Sequence, residues 1–97
     1  MHIVKKRTLQ NYWEKIPETQ QQLQAWYSEA KAATWKTPQD ILARFPTADI
    51  LKAGRVIFNI CGNRFRLIVK IRYDIGRIFV RFIGTHKEYD KVDAETI

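Results

Sequence analysis

The sequence predicts an α+β domain in which N-terminal helices pack on one face of a small, mainly antiparallel β-sheet, followed by a short C-terminal helical turn. Three observations predict it. The stretch from Arg55 to Thr85 is dominated by β-branched and aromatic residues and is broken twice, at Gly62-Asn63 and at Asp74-Ile75-Gly76, which is the pattern of a three-strand meander. Upstream, Leu9, Tyr12, Trp13 and Ile16, and then Leu23, Trp26, Tyr27 and Ala30, recur at the three-to-four-residue spacing of a helical face. One strand register also sorts the meander into an apolar side and a basic side, as a period of two requires.

The elements follow in chain order. His2-Ile3-Val4 suits a short edge or pairing strand ahead of the basic Lys5-Lys6-Arg7. A first helix starts from Thr8, with Thr8 as its N-cap, and stops at Pro17, because proline disfavours helix at the residue before it. A second helix spans about Glu18 to Ala33. Its other side carries Gln20, Gln21, Gln22, Gln24, Ser28, Glu29 and Lys31 and faces water. The aromatic residues Tyr12, Trp13, Trp26 and Tyr27 read as core. Thr37-Pro38-Gln39-Asp40 is a helix start with a capping threonine, a proline at the first helical position and an acid in the first turn. That short helix buries Ile41, Leu42 and Phe45 and ends at Pro46, and Thr47 to Leu51 is expected to add one more turn.

In the meander, a two-residue turn at Gly62-Asn63 sets Cys61 against Arg64. Ile60 then faces Phe65, Phe58 faces Leu67, and Val56 faces Val69, all on one apolar side. The alternate pairs, Asn59 with Arg66, Ile57 with Ile68 and Arg55 with Lys70, form the basic side. A four-residue loop from Tyr73 to Gly76 sets Arg72 against Arg77, Lys70 against Phe79 and Ile68 against Arg81, so the basic side is expected to run unbroken and open to solvent. Slipping the register by one residue would drive Arg77 and Arg81 into the apolar layer, where an unpaired charge is costly. Beyond Gly84, the expectation is one short helical turn and no fixed structure past Asp90.

Ninety-seven residues with three Trp, four Tyr and five Phe suit one folded domain over 1–97. The lone Cys61 cannot close an internal disulfide, and no Cys/His spacing resembles a zinc site; a reducing cytoplasm fits, and neither metal nor cofactor is expected. No stretch is long and apolar enough for a signal peptide or a membrane span. The net charge of +7 is concentrated: Arg55, Arg64, Arg66, Lys70, Arg72, Arg77 and Arg81 face a single acid, Asp74. A solvated face that only kept the protein soluble would tolerate glutamates among these arginines. One sign of charge interleaved with Phe79 instead suits phosphates and bases, with Arg55, Asn59, Arg64, Arg72, Arg77 and Phe79 as RNA-binding residues.

Chemistry can sit in few places. With two histidines and no glycine-rich phosphate loop or Ser-His-Asp pattern, the choice falls on His86, directly after the last strand, and Tyr89, three residues on and on the same side of a helical turn. Metal-free RNA cleavage needs a base for the 2′-hydroxyl, an acid for the leaving 5′-oxygen and cations for the phosphorane. His86 and Tyr89 are candidates for the proton steps, and Arg66, Lys70 and Arg81 for charge stabilisation. The bland alternative is an exposed strand-end histidine.

The runs Val56-Ile57-Phe58-Asn59-Ile60, Phe65-Arg66-Leu67-Ile68-Val69-Lys70-Ile71 and Val80-Arg81-Phe82-Ile83-Gly84-Thr85-His86-Lys87-Glu88-Tyr89-Asp90 resemble the HigB-type toxins of bacterial type II toxin-antitoxin systems, in the RelE/ParE superfamily. Tyr12-Trp13-Glu14-Lys15 and Ala25-Trp26-Tyr27-Ser28-Glu29-Ala30 resemble them too. The resemblance implies a RelE-like fold and a ribosome-associated mRNA endoribonuclease neutralised by a helix-turn-helix, HigA-like antitoxin. It also implies that Arg66 matches the family arginine before leucine on the middle strand and that His86 matches the proton-transferring histidine of a Gly-Thr-His motif. Tyr89 matches a C-terminal aromatic only at a different spacing, and Lys70 and Arg81 come from the face alone. Two other readings share these features: a ParE-like inhibitor of DNA gyrase, and a non-catalytic single-strand RNA-binding module.

Overall fold

Five strands in the order β1-β5-β4-β3-β2 form one sheet in the computed structural model, which describes residues 1–97. Along the chain these are β1 (His2–Val4), α1 (Lys6–Lys15), a 3-10 turn (Pro17–Thr19), α2 (Gln20–Ala32), α3 (Pro38–Arg44), β2 (Asp49–Ile50), a second 3-10 turn (Lys52–Gly54), β3 (Arg55–Ile60), β4 (Phe65–Arg72), β5 (Arg77–Thr85) and α4 (His86–Tyr89). All neighbours are antiparallel except β1, which runs parallel to β5. The expected α+β architecture is therefore present, with two more strands than the meander alone provides.

Local chemistry explains where the element boundaries moved. Lys5 adopts a left-handed φ of 70°, turning the chain sharply out of β1, so α1 begins at Lys6 and Thr8 sits inside its first turn instead of capping it. Pro17 stops α1 as expected but opens a 3-10 turn, and α2 starts only at Gln20. Thr19 is fully buried there, and its hydroxyl donates to the Ile16 carbonyl at 2.7 Å, whereas the buried Trp26 Nε1 and Tyr73 hydroxyl find no partner in the protein. The Met1 nitrogen donates to the carbonyls of Ala30, Lys31 and Ala33, tying β1 to the end of α2. At α3 the expected start is realised: Asp40 Oδ2 accepts the backbone N–H groups of Lys36 and Thr37 at 2.8 and 3.2 Å. Those bonds hold the Asp40 carboxyl below the usual range.

The helical turn expected over Thr47 to Leu51 is instead β2, with Asp49 opposite Ile57 and Ile50 opposite Val56. The edge of β3 offers this segment's backbone groups partners that a single isolated helical turn would lack. Gly54, at φ +76°, is needed just before β3, because a Cβ there would collide with the Ile71 carbonyl.

The helices cover one face of the sheet. Leu9, Trp13, Leu23, Trp26, Ala30 and Ile41 close over Val56, Phe58, Ile60, Leu67, Val69, Ile78 and Val80 in one continuous core. Phe58 sits among three aromatic rings, with centroids 5.1 Å from Phe45, 5.4 Å from Trp26 and 6.4 Å from Trp35.

The β3–β4 register is the expected one, pair for pair, from Arg55 with Lys70 to Ile60 with Phe65. The β4–β5 register holds for Arg72 with Arg77 and for Lys70 with Phe79, then shifts. A bulge at Arg81 places Ile68 opposite Phe82 and Arg66 opposite Gly84, so the expected pairing of Ile68 with Arg81 is wrong. Nor is the outer face, the side away from the helices, a bare basic plane. Ile57 and Ile68 point outward by register yet are 3% and 0% exposed, and neither belongs to the helix-side core.

The C-terminal segment accounts for this. Thr85 pairs with Phe65 at one end of β4, whereas Arg55 pairs with Lys70 five residues along, about 17 Å away at the usual strand rise. Arg55 nevertheless donates from Nε and Nη2 to the backbone oxygen of Ile97 at 3.2 and 3.0 Å. With the helices filling the other side, the residues after Tyr89 cross the outer face to reach it. They do so in ordered turns, with Val92 N–H bonded to the Tyr89 carbonyl and Ile97 N–H to the Asp93 carbonyl, contrary to the expected loss of structure past Asp90.

Candidate active site at the rim of the outer face

The strand end and the turn after it build this corner. The His86 N–H donates to the Arg64 carbonyl at 3.0 Å, carrying the β4–β5 ladder one residue past β5. There a reciprocal capping box starts α4: the Glu88 N–H donates to Thr85 Oγ1 at 3.1 Å, and Glu88 Oε1 accepts the Thr85 N–H at 2.8 Å. The Thr85 backbone bond above all, then its hydroxyl, holds the Glu88 carboxyl below the usual glutamate range, with Lys15 and Lys91 acting in the same direction. This single helical turn presents His86 and Tyr89 together, their rings edge to face with centroids 6.2 Å apart.

Arg66 meets them from β4. Its guanidinium lies 5.7 Å from the centre of the Tyr89 ring, and Nη1 donates to the Asn63 carbonyl at 3.1 Å. Gly84 is the residue directly opposite Arg66, and the Phe82 ring and the Glu88 carboxylate occupy the space that a side chain there would take. His86 Nδ1 stands 3.4 Å from Asp90 Oδ2, with both side chains about half exposed, which leaves Nε2 as the nitrogen free for proton exchange with a bound molecule. The corner thus combines a titratable imidazole, a phenol and a permanent cation, the components of phosphodiester proton transfer and charge stabilisation.

The other expected site residues are spread more widely. Lys70 lies four residues along β4 from Arg66, about 13 Å away at strand rise. Arg81, at the bulge, is exposed with its guanidinium 6.0 Å from the Phe79 ring centre, between Lys70 and the corner. Arg72 and Arg77 pair at the far end of the sheet, where Arg72 is held by both carboxylate oxygens of Asp74. Arg55 is occupied by Ile97, and Asn59 donates to the Thr47 carbonyl across the β2 edge. Arg64 departs from the expected face: it turns toward the helices, 2.6 Å from Glu18 and over the Phe65 ring, because the turn it occupies lifts it out of the strand alternation. Three neighbours went unread in the sequence. The Thr85-to-Glu88 capping spacing was legible there, the Asp90 partner of His86 follows from helical i,i+4 spacing, and Phe82 had no signal because the bulge is a tertiary feature.

No group of three or more His, Cys, Asp or Glu side chains gathers closely enough to hold a metal ion. No helix is long and apolar enough to cross a membrane.

Helices on one side of a mixed sheet, cations on the other and an imidazole, phenol and guanidinium at its rim define a small basic α+β protein suited to phosphodiester chemistry. The chain belongs to the HigB toxin family: residues 19–92 match the family described as "HigB_toxin, RelE-like toxic component of a toxin-antitoxin system". Among curated proteins it is similar to the "mRNA interferase toxin HigB" of Escherichia coli (strain K12), 29% identical over 92 residues that cover 93% of this chain and 88% of the relative. It is also similar to the "mRNA interferase HigB" of Escherichia coli O6:H1, 31% identical over 94 residues covering 95% and 91% of the two chains. The "mRNA interferase HigB" of Shigella flexneri is 29% identical over 92 residues, again 93% of this chain and 88% of the relative.

Proposed function

We propose that this chain is the toxin of a type II toxin-antitoxin pair and acts as an mRNA endoribonuclease, with its active site at the corner formed by Arg66, His86 and Tyr89. The observation that carries this reading is the convergence of those three side chains, from β4 and from the turn after β5, onto the rim of the cationic outer face. An RNA strand entering along Arg81 and Lys70 would place a phosphate beside the Arg66 guanidinium. There the 2′-oxygen attacks the adjacent phosphorus while its proton passes to a base. The P–O5′ bond breaks as the leaving oxygen takes a proton from an acid, giving a 2′,3′-cyclic phosphate and a free 5′-hydroxyl. His86 and Tyr89 divide the two proton transfers, Arg66 stabilises the extra charge on the phosphorane, and no metal takes part.

With one histidine at the corner and both rings partly solvated, the substrate's own geometry must supply the in-line arrangement. A message held in the translating ribosome provides it, and the cytoplasm is where such a message is met. The cognate antitoxin is a HigA-like helix-turn-helix protein that stabilises the toxin and closes either the outer face or its route to the ribosome. Primer extension on translated mRNA tests the reading. His86→Ala should lose roughly a hundredfold or more in cleavage rate, the scale of one general acid–base group. Arg66→Ala should lose about as much through charge stabilisation. If parent and both variants cut alike, the site is wrong. If the parent cuts nothing and instead blocks supercoiling by DNA gyrase, the activity is wrong as well.

A further inference from the structure

Phe82 is out of place for a strand of this pattern. Counting alternately from Phe79, which faces outward opposite Lys70, Phe82 would point at the helices, but the extra residue at Arg81 turns it onto the outer face opposite Ile68. It remains partly exposed there, and its ring leans along β5 over bare backbone: a Cβ on Gly84 would come within 2.6 Å of Phe82 Cζ. On one side stands the Arg81–Phe79 pair and on the other the Arg66–Tyr89 pair, so the ring lies between two cation–aromatic contacts. Gly84, the residue across from Arg66, is two residues from Phe82, about 7 Å at strand rise and close to the length of one nucleotide step.

We propose that Phe82 is the stacking platform for the nucleobase next to the scissile phosphate, which makes it a specificity-determining residue. This rests on the endoribonuclease reading and extends it to substrate choice. A base whose phosphate lies at Arg66 meets two partly exposed rings, Tyr89 beside the guanidinium and Phe82 on the sheet. With Tyr89 engaged in proton transfer, Phe82 is the ring left for stacking, and the larger π-surface of a purine gains more from it than a pyrimidine does. The flanking guanidiniums hold the backbone on both sides of that base while the glycine keeps the ring flat against the sheet.

Two measurements test this. In the cleavage assay, Phe82→Leu keeps an apolar side chain over Ile68 but removes the π-face. It should lose about five- to a hundredfold in kcat/KM, the range of one base–aromatic stack, and should flatten the base preference beside the cut. Phe82→Trp should keep both. In the second measurement, a short single-stranded RNA carrying 2-aminopurine is titrated with each protein. The parent and Phe82→Trp should quench its fluorescence by stacking, and Phe82→Leu should not. Phe82→Leu that cuts and quenches like the parent, at unchanged thermal stability, overturns the proposal. A parent that quenches through Phe82 yet cleaves no message overturns the endoribonuclease reading and leaves the stacking site standing. A parent that does not quench removes the platform.

Discussion

Placing a methyl group on Gly84 probes the core of the site without touching a reacting side chain. The added Cβ of Gly84→Ala would lie 2.6 Å from Phe82 Cζ and 3.1 Å from Glu88 Oε1, so the aromatic ring must swing away and the carboxylate of the capping box must give. Overpacking of this kind costs about 1–3 kcal/mol. Were there space, the same change would stabilise by about 0.4–1 kcal/mol, because alanine narrows the unfolded ensemble. The two contributions separate in a double-mutant cycle with Phe82→Ala. In the parent background Gly84→Ala should destabilise by about 1–3 kcal/mol. In the Phe82→Ala background, with the ring gone, the penalty should fall to near zero or reverse, a coupling of about 1–3 kcal/mol between contacting residues. Urea unfolding followed by tryptophan fluorescence reads it directly, since Trp13, Trp26 and Trp35 are all buried in the helix-side core. Equal costs for Gly84→Ala in the two backgrounds would refute the placement of the ring over Gly84, and with it the geometry around Arg66.

Two further outcomes are expected. Glu88 titrates below its ordinary value in the folded chain, so its contribution is present above the unfolded glutamate pKa and lost as the pH falls through the lower folded one. Glu88→Gln should therefore be less stable than the parent at neutral pH, with the gap closing in acid below about pH 4; chemical denaturation across that range checks it, and a gap that widens on acidification would contradict the assignment. Arg55→Ala removes both anchors of the C-terminal crossing. Backbone amide exchange should then speed up over residues 91–97 and at the strand centres around Ile57 and Ile68, while the helix-side core stays protected. Unchanged exchange would mean that the crossing does not depend on Arg55.

Particular residues show how far the sequence could be read. The apolar partners Val56, Phe58, Ile60, Phe65, Leu67 and Val69 were legible because a strand alternates strictly, and a one-residue slip would bury arginine. The helices from Leu9 to Ile16 and from Leu23 to Ala30 were legible for the matching reason at a period of 3.6. The positions of His86, Tyr89 and Arg66 were legible because they fall at a strand end, one helical turn along, and on the basic side of that same register. Arg64 could not be placed correctly, because a turn residue obeys neither period and its ion pair with Glu18 is a contact across 46 residues of chain.

What sequence alone determined about this protein is everything governed by local periodicity and composition: the helices, the meander, the first hairpin register and the side taken by the cations within the strands, Arg64 in the turn excepted. What only the folded arrangement decided is the bulge at Arg81 that turns Phe82 outward, the conversion of Asp49–Ile50 from helical turn to edge strand, and the crossing of the last residues to Arg55. Each of these depends on how one segment meets another in the packed molecule, whether six residues away, as for Ile50 and Val56, or 42, as for Arg55 and Ile97. Its free energy depends on which backbone groups and apolar surfaces are still unpaired once the rest has packed, and no local pattern records that.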